Sequence, residues 1–199
     1  AGGVRERGLD ALSWSPAARN LRARVAWLRG QDGPLAARLP DWSDAALLAT
    51  LDDWLTPHLA GLRTLEEAAS VDLHRALRAT LPRDLAAEID RAAPPRFETP
   101  LGRAVPIDYD RPEPTLPVRV QEMFGVTAHP VAGDPPVPLV VELLSPAGRP
   151  VQVTRDLPGF WAGTWREVAR EMRSAYPKHP WPDDPTAAAP TARAKARRV

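Results

Sequence analysis

Proline sets the first limit on this chain: it occupies 24 of 199 positions, well above the ~5% typical of globular proteins. A ring that locks φ and removes the amide proton breaks helix interiors and stays out of central strands. Much of the backbone must therefore run as turns and extended connections. The rest of the composition is ordinary, with 44% hydrophobic and 26% charged residues, enough to bury a core in one domain or two small ones. Cysteine is absent, which excludes disulfide scaffolds, thiolate metal sites and Cys nucleophiles, and fits a reducing compartment. No apolar run approaches the ~20 residues that span a bilayer, and no signal-peptide pattern opens the chain. These features predict a cytoplasmic protein without membrane contact. The chain opens at Ala1 rather than Met, which suggests a piece of a longer protein.

Residues 12–92 carry helical periodicity. Ser15-Pro16 reads as an N-cap followed by proline at the first helical position, and Gly30 stands where that helix would stop. Ala17, Leu21, Val25 and Leu28 form its apolar stripe, leaving Arg19, Arg22 and Arg29 on a solvated face. A second helix follows Asp41 or Ser43, with Leu47, Leu48, Leu51, Trp54 and Leu55 on its buried face and Pro57 ending it. Thr64 with Glu67 fits a capping box. Leu73, Ala76 and Leu77 mark a third helix, and Leu85 and Ile89 a fourth from near Pro82. The pattern predicts a small helical bundle over 1–92.

The string AAPPR at 92–96 stops the last helix and marks a boundary. From 93 to 185 the signals predict an α+β module of antiparallel hairpins flanked by helices. Phe97–Thr99 and Ala104–Tyr109 flank a turn at 100–103, and Leu139–Leu144 and Arg149–Thr154 flank a turn ending in Gly148. In the last strand Val151 and Val153 alternate with Gln152 and Thr154, which predicts one buried and one polar face. PVRVQEMFG, closing at Gly125, reads as a short helix more than as a strand. Thr164 and Glu167 fit a capping box for a helix to about Ala175, with Trp165, Val168, Ala169 and Met172 on its apolar stripe. Arg166, Arg170 and Arg173 project from the other side, with Glu167 and Glu171 near enough to pair with them. The prolines of 176–185 impose an extended path, and Trp181 is expected to dock that peptide on its own module. Residues 186–199 read as a flexible basic tail ending in Arg193, Lys195, Arg197 and Arg198.

Charge is uneven. Positions 145–199 hold ten basic and five acidic residues, while positions 1–144 hold 16 and 20. A cationic end points to a polyanion, because Lys and Arg that neutralise phosphates release condensed counterions. The candidate contacts are Arg149, Arg155, Arg166, Arg170, Arg173 and Lys178, with Trp181, and less so Trp161, as a stacking surface for bases. No catalytic, cofactor-binding or metal site is read. His58, His74, His129 and His179 lack carboxylates at ligand spacing, Asp52 and Asp53 diverge, and His179 with Asp183 and Asp184 lacks a third ligand.

LLSPAGRPVQVTRDLPGFW at 143–161 and REVAREMRSAYPKHPWPDDP at 166–185 resemble the C-terminal region of the HrpB family of bacterial DEAH-box ATP-dependent helicases. VRVQEMFGV at 118–126 and RAVPIDYD at 103–110 are similar to the same family, and the helical stretches SPAARNLRARVAWLR and DAALLATLDDWL to the part that precedes it. The resemblance implies a parent enzyme that hydrolyses ATP, with Mg, to remodel RNA or other single-stranded nucleic acid. Its motor domains are absent from this chain, which has no G-x-x-x-x-G-K-[ST] loop. The chain itself is then a non-enzymatic C-terminal accessory module that contacts nucleic acid or braces the motor domains. The alternative is a protein-interaction or scaffold module without nucleic-acid contact.

Overall fold

The computed structural model describes residues 2–62 and 64–192, so Arg193, Lys195, Arg197 and Arg198 of the expected arm lie outside the described residues. The fold is α+β. It divides into two compact units, one running to Pro95 and including Gly133–Pro135, the other comprising Arg96–Ala132 and the residues from Pro136 on. Among the described residues no helix is long and apolar enough to cross a membrane.

The first unit holds α1 (Gly2–Arg7), α2 (Pro16–Arg29), α3 (Asp44–Ala49), α4 (Leu51–Trp54), α5 (Leu65–Ala69), α6 (Leu73–Ala79) and α7 (Arg83–Ala92). Helix α2 starts as its sequence dictates: Ser15 Oγ accepts the Ala18 N–H at 3.2 Å, and Pro16 sits in the first turn. Its buried stripe is Ala18, Leu21, Val25 and Leu28, one residue off the expected start, since Ala17 is exposed. The helix expected from Ser43 to Leu55 is interrupted at Thr50, whose backbone leaves the helical region and whose hydroxyl donates to the Ala46 carbonyl at 2.8 Å. Leu47, Leu51, Trp54 and Leu55 still bury together. Thr64 and Glu67 form the capping box reciprocally, at 3.0 and 3.1 Å.

Arg24, which lies in α2, is buried at 3% exposure; its spacing from Leu21 and Leu28 puts it on the apolar stripe, although a charged side chain is not expected there. Its guanidinium donates to the carbonyls of Ala93 and Ile89 and to Asp90, which also accepts from Arg78. A cation thus closes the C-terminal end of α7, where carbonyls lack intrahelical partners. Arg29 is exposed as expected and Arg22 is half-buried; both also donate, to the carbonyls of Leu39 and Trp42, at 2.7 and 2.6 Å.

The second unit begins with the antiparallel pair β1 (Arg96–Glu98) and β2 (Ala104–Pro106). Next come β3 (Thr115–Arg119), a 3₁₀ turn at Val120–Met123, β4 (Val131–Ala132), β5 (Val137–Pro138), β6 (Val140–Leu144), β7 (Pro150–Thr154), α8 (Leu157–Ala162) and α9 (Trp165–Ala175). PVRVQEMFG is therefore strand as far as Arg119 and helical only for one 3₁₀ turn. Its pairing adds to the expected antiparallel hairpins a parallel pair that the sequence did not indicate. In the sheet β3-β6-β7 the first pair is parallel, Leu116 opposite Val141 and Val118 opposite Leu143, and only β6-β7 is a hairpin. Leu116, Val118, Val141 and Leu143 are wholly buried. Strand β7 lies at the sheet edge after a register shift at Leu143/Leu144, and Val153 is 52% exposed instead of buried.

Two helix starts differ from expectation. Asp156 caps α8, accepting the Gly159 N–H at 2.9 Å. Thr164 does not cap α9 with its side chain: it already has helical backbone angles (φ −78°, ψ −5°), whereas a capping residue needs an extended ψ. His129 bridges two segments, its Nδ1 accepting from Leu157 N–H at 2.9 Å and its Nε2 donating to the Leu139 carbonyl at 2.8 Å. That role needs no chemistry.

Candidate nucleic-acid interface

Helix α9 buries Trp165 and Ala169. Around Trp165 gather Phe124, Phe160, Trp161 and Trp181, with ring centroids 5.3–6.4 Å from it, in the tilted and edge-on geometries that aromatic quadrupoles favour. Trp181 reaches this cluster because the proline-rich segment after Tyr176 turns back over α9. Its indole N–H donates to the Tyr176 carbonyl at 2.9 Å, and Trp165 donates to the Pro182 carbonyl at 3.0 Å. The segment stays fastened beyond 185. Gly125 N–H donates to the Pro185 carbonyl and Thr191 N–H to that of Gln121, so residues 186–191 are held against the unit and are not the free tail expected there.

Between α9 and this strap lies an open cleft of about 340 Å³, lined by Trp165, Arg166, Ala169, Arg170, Arg173, Pro182 and Asp183. The floor is apolar and one wall is a row of guanidiniums at i, i+4 and i+7, spread over ~10 Å of helix axis at 1.5 Å per residue. Arg166 and Arg170 are exposed and form no ion pair among the described residues; Glu167 and Glu171 do not engage them. Arg173 is engaged. Its Nε and Nη2 donate to the Trp181 carbonyl at 3.1 and 2.7 Å, and Nη2 also meets Asp183.

The other expected contacts are not gathered into this cleft. Arg149 and Lys178 are exposed without an ion pair among the described residues, but neither lines it. Arg155 is matched to Glu113 by two hydrogen bonds. Hydrogen bonding from the Arg155 guanidinium holds the Glu113 carboxyl below its ordinary range. Trp181 and Trp161 are buried at 6% and 5% exposure, so neither presents a ring for a base to stack on, and the stacking role expected for them is corrected. Their hydrogen-bonded indoles show that both serve the core: Trp161 donates to the Val126 carbonyl at 3.0 Å.

Sequence reasoning also passed over Glu122. It is fully buried, and Arg103 donates to one of its oxygens at 3.0 Å. EMF in a presumed helix offered no signal that a carboxylate would turn inward. Among the described residues no group of three or more His, Asp or Glu side chains gathers as a metal site would require.

Residues 54–185 match the family model HrpB_C, described as "ATP-dependent helicase C-terminal", and the chain belongs to that family. It is 44% identical over 199 residues to the ATP-dependent RNA helicase HrpB of Escherichia coli strain K12, covering 97% of this chain and 24% of that protein. Two crystal structures from Escherichia coli share the fold. One, titled DExH-box NTPase HrpB, matches with a TM-score of 0.83 at 43% identity over 95% of this chain and 23% of its own. The other, titled DEAH/RHA helicase HrpB, gives 0.72 at 40% identity over 90% of this chain and 23% of its own. The chain thus spans about a quarter of the length of the relatives it matches.

Proposed function

We propose that this chain is the C-terminal accessory module of an ATP-dependent RNA helicase and that it guides single-stranded nucleic acid along α9. In this reading the motor domains that hold ATP and Mg²⁺ and perform hydrolysis lie elsewhere in a longer cytoplasmic parent, and this module contributes no catalytic group. One observation carries the reading: Arg166 and Arg170 stand on one wall of a cleft and, among the described residues, form no ion pair. An unpaired guanidinium is a ready partner for phosphate, which it meets with two parallel hydrogen bonds. Arg149 and Lys178 extend the cationic surface, while Arg155 is held by Glu113 and contributes less.

The test is binding of a labelled oligouridylate by the 199-residue chain, followed by anisotropy over a range of KCl concentrations. Arg166→Glu with Arg170→Glu is expected to weaken binding by about tenfold or more and to flatten the salt slope by roughly 1.4, at about 0.7 per single-strand phosphate contact. Unchanged affinity and slope would remove these residues from the surface. Capture of separately produced helicase motor domains, without any RNA binding, would favour the protein-docking alternative.

A further inference from the structure

We propose that Asp183 is an internal stand-in for a phosphate: its carboxylate occupies the third arginine of the α9 row, and an incoming single strand displaces it. The proposal rests on the reading that α9 faces nucleic acid, and it adds a regulatory element to that site.

The geometry separates two roles of Arg173. Its guanidinium is positioned by a neutral group, the Trp181 carbonyl, which takes hydrogen bonds from both Nε and Nη2. Only the Nη2–Asp183 contact is ionic. The backbone on either side of that carbonyl is fixed, because Trp181 is buried and the Pro182 carbonyl accepts from Trp165. Arg173 therefore keeps its place in the cleft whether or not Asp183 is bound. Asp183 itself is 94% exposed at the side chain while Arg173 is 46% exposed. Exposed pairs of this kind hold weakly, so the carboxylate can swing into water without disturbing the core. A backbone phosphodiester carries the same single negative charge and offers two non-bridging oxygens, either of which can take the place that Asp183 Oδ1 holds on Nη2.

Asp184 supplies the control. It sits next in sequence and carries the same charge, but its Oδ1 is occupied by the Thr186 N–H and hydroxyl and by the Ala187 N–H. Those contacts hold it within its own turn, and it is not among the residues that line the cleft. Its carboxyl is held below the ordinary range chiefly by the Thr186 side chain, with no cation involved.

The experiment compares the wild-type chain, Asp183→Asn and Asp184→Asn for binding of the same oligouridylate at several KCl concentrations. Asp183→Asn is expected to tighten binding about two- to fivefold, the range of one exposed ion pair, and to steepen the salt slope, while Asp184→Asn changes little. Equal tightening by both variants would reduce the effect to net charge and overturn the proposal. So would an unchanged or weaker Asp183→Asn in a chain whose binding still collapses with Arg166→Glu and Arg170→Glu; the nucleic-acid reading would then stand without the stand-in. Failure of both the wild-type chain and Asp183→Asn to bind would overturn the two together.

Discussion

Arg24 holds a full charge at 3% exposure, an arrangement that survives only when every donor is met. Its partners are two α7-terminal carbonyls and Asp90, and Asp90 is shared with Arg78. Burial opposes the charged form of Asp90, but the hydrogen bonds from Arg78 and Arg24 outweigh it and hold the carboxyl below its ordinary value. A depressed folded-state value means that the ion pair contributes fully above the unfolded value of about 3.9. That contribution fades as pH falls through the lower folded-state value. Arg24→Met is expected to destabilise the first unit by about 2–3 kcal/mol, less than for a wholly buried pair because water reaches Asp90. Urea unfolding at pH 7 measures the loss, and repeating it toward pH 3 should show the gap between variant and wild type narrowing. A gap independent of pH would mean that the carbonyl contacts, and not the carboxylate, carry the effect. Helical spacing does set Arg24 apart from Arg19, Arg22 and Arg29, since it stands at i+3 from Leu21 and i−4 from Leu28 on the apolar stripe; that its charge would be met there depends on where α7 ends in space.

Apart from the Thr164–Glu167 box, which does not form, elements whose signals are local were legible, and elements whose fate depends on a distant partner were not. The cap at Ser15, the Thr64–Glu67 box and the 139–154 hairpin each need only a few contiguous residues, and each forms. The cationic face of α9 was likewise readable from spacing. Strand β3 was misread because its alternation is short and its parallel partner β6 lies more than twenty residues on. Val153 failed as a core residue for a related reason: its cross-strand partner is Glu142, so it lies on the outer face, while Gln152 and Thr154 stand opposite the buried Leu143 and Val141. The strap over α9 was anticipated to Pro185 from the size of Trp181, but its continuation depends on backbone bonds to Gln121 and Gly125 that composition does not encode. Trp181→Ala should therefore act on the whole element. A loss of about 3–5 kcal/mol is expected from the vacated aromatic site, accompanied by faster amide exchange at Gly125 and Thr191. Retained protection at those amides would show that the strap is fastened by its backbone bonds alone.

At the scale of the molecule, the net charge of +1 gives no general attraction for a polyanion, so the recognition proposed here has to arise from where arginines are left unmatched. The same distinction between sum and placement applies to the division of the chain. The backbone passes from the first unit to the second within AAPPR, yet Gly133–Pro135 belong to the first unit from far beyond it. There the Gly133 N–H donates to the Ala92 carbonyl and the Asp134 N–H to Gln31 Oε1 at 2.9 Å. Gly33 permits the approach: a Cβ at that position would lie 1.6 Å from the Asp134 carbonyl oxygen. A backbone atom cannot rotate away as a side chain would, so Gly33→Ala must push the segment off its seat, at a cost of about 1–3 kcal/mol typical of overpacking. A chain ending at Pro95 lacks the segment altogether. It is expected to melt lower than the first unit does within the 199-residue chain, and adding Gly33→Ala to it should cost nothing further, because the atom it would strike is gone. Thermal unfolding of the four species, long and short, with Gly and with Ala, closes the cycle. A Gly33→Ala penalty of the same size in both lengths would place the strain within residues 31–35 and leave 133–135 as a passenger.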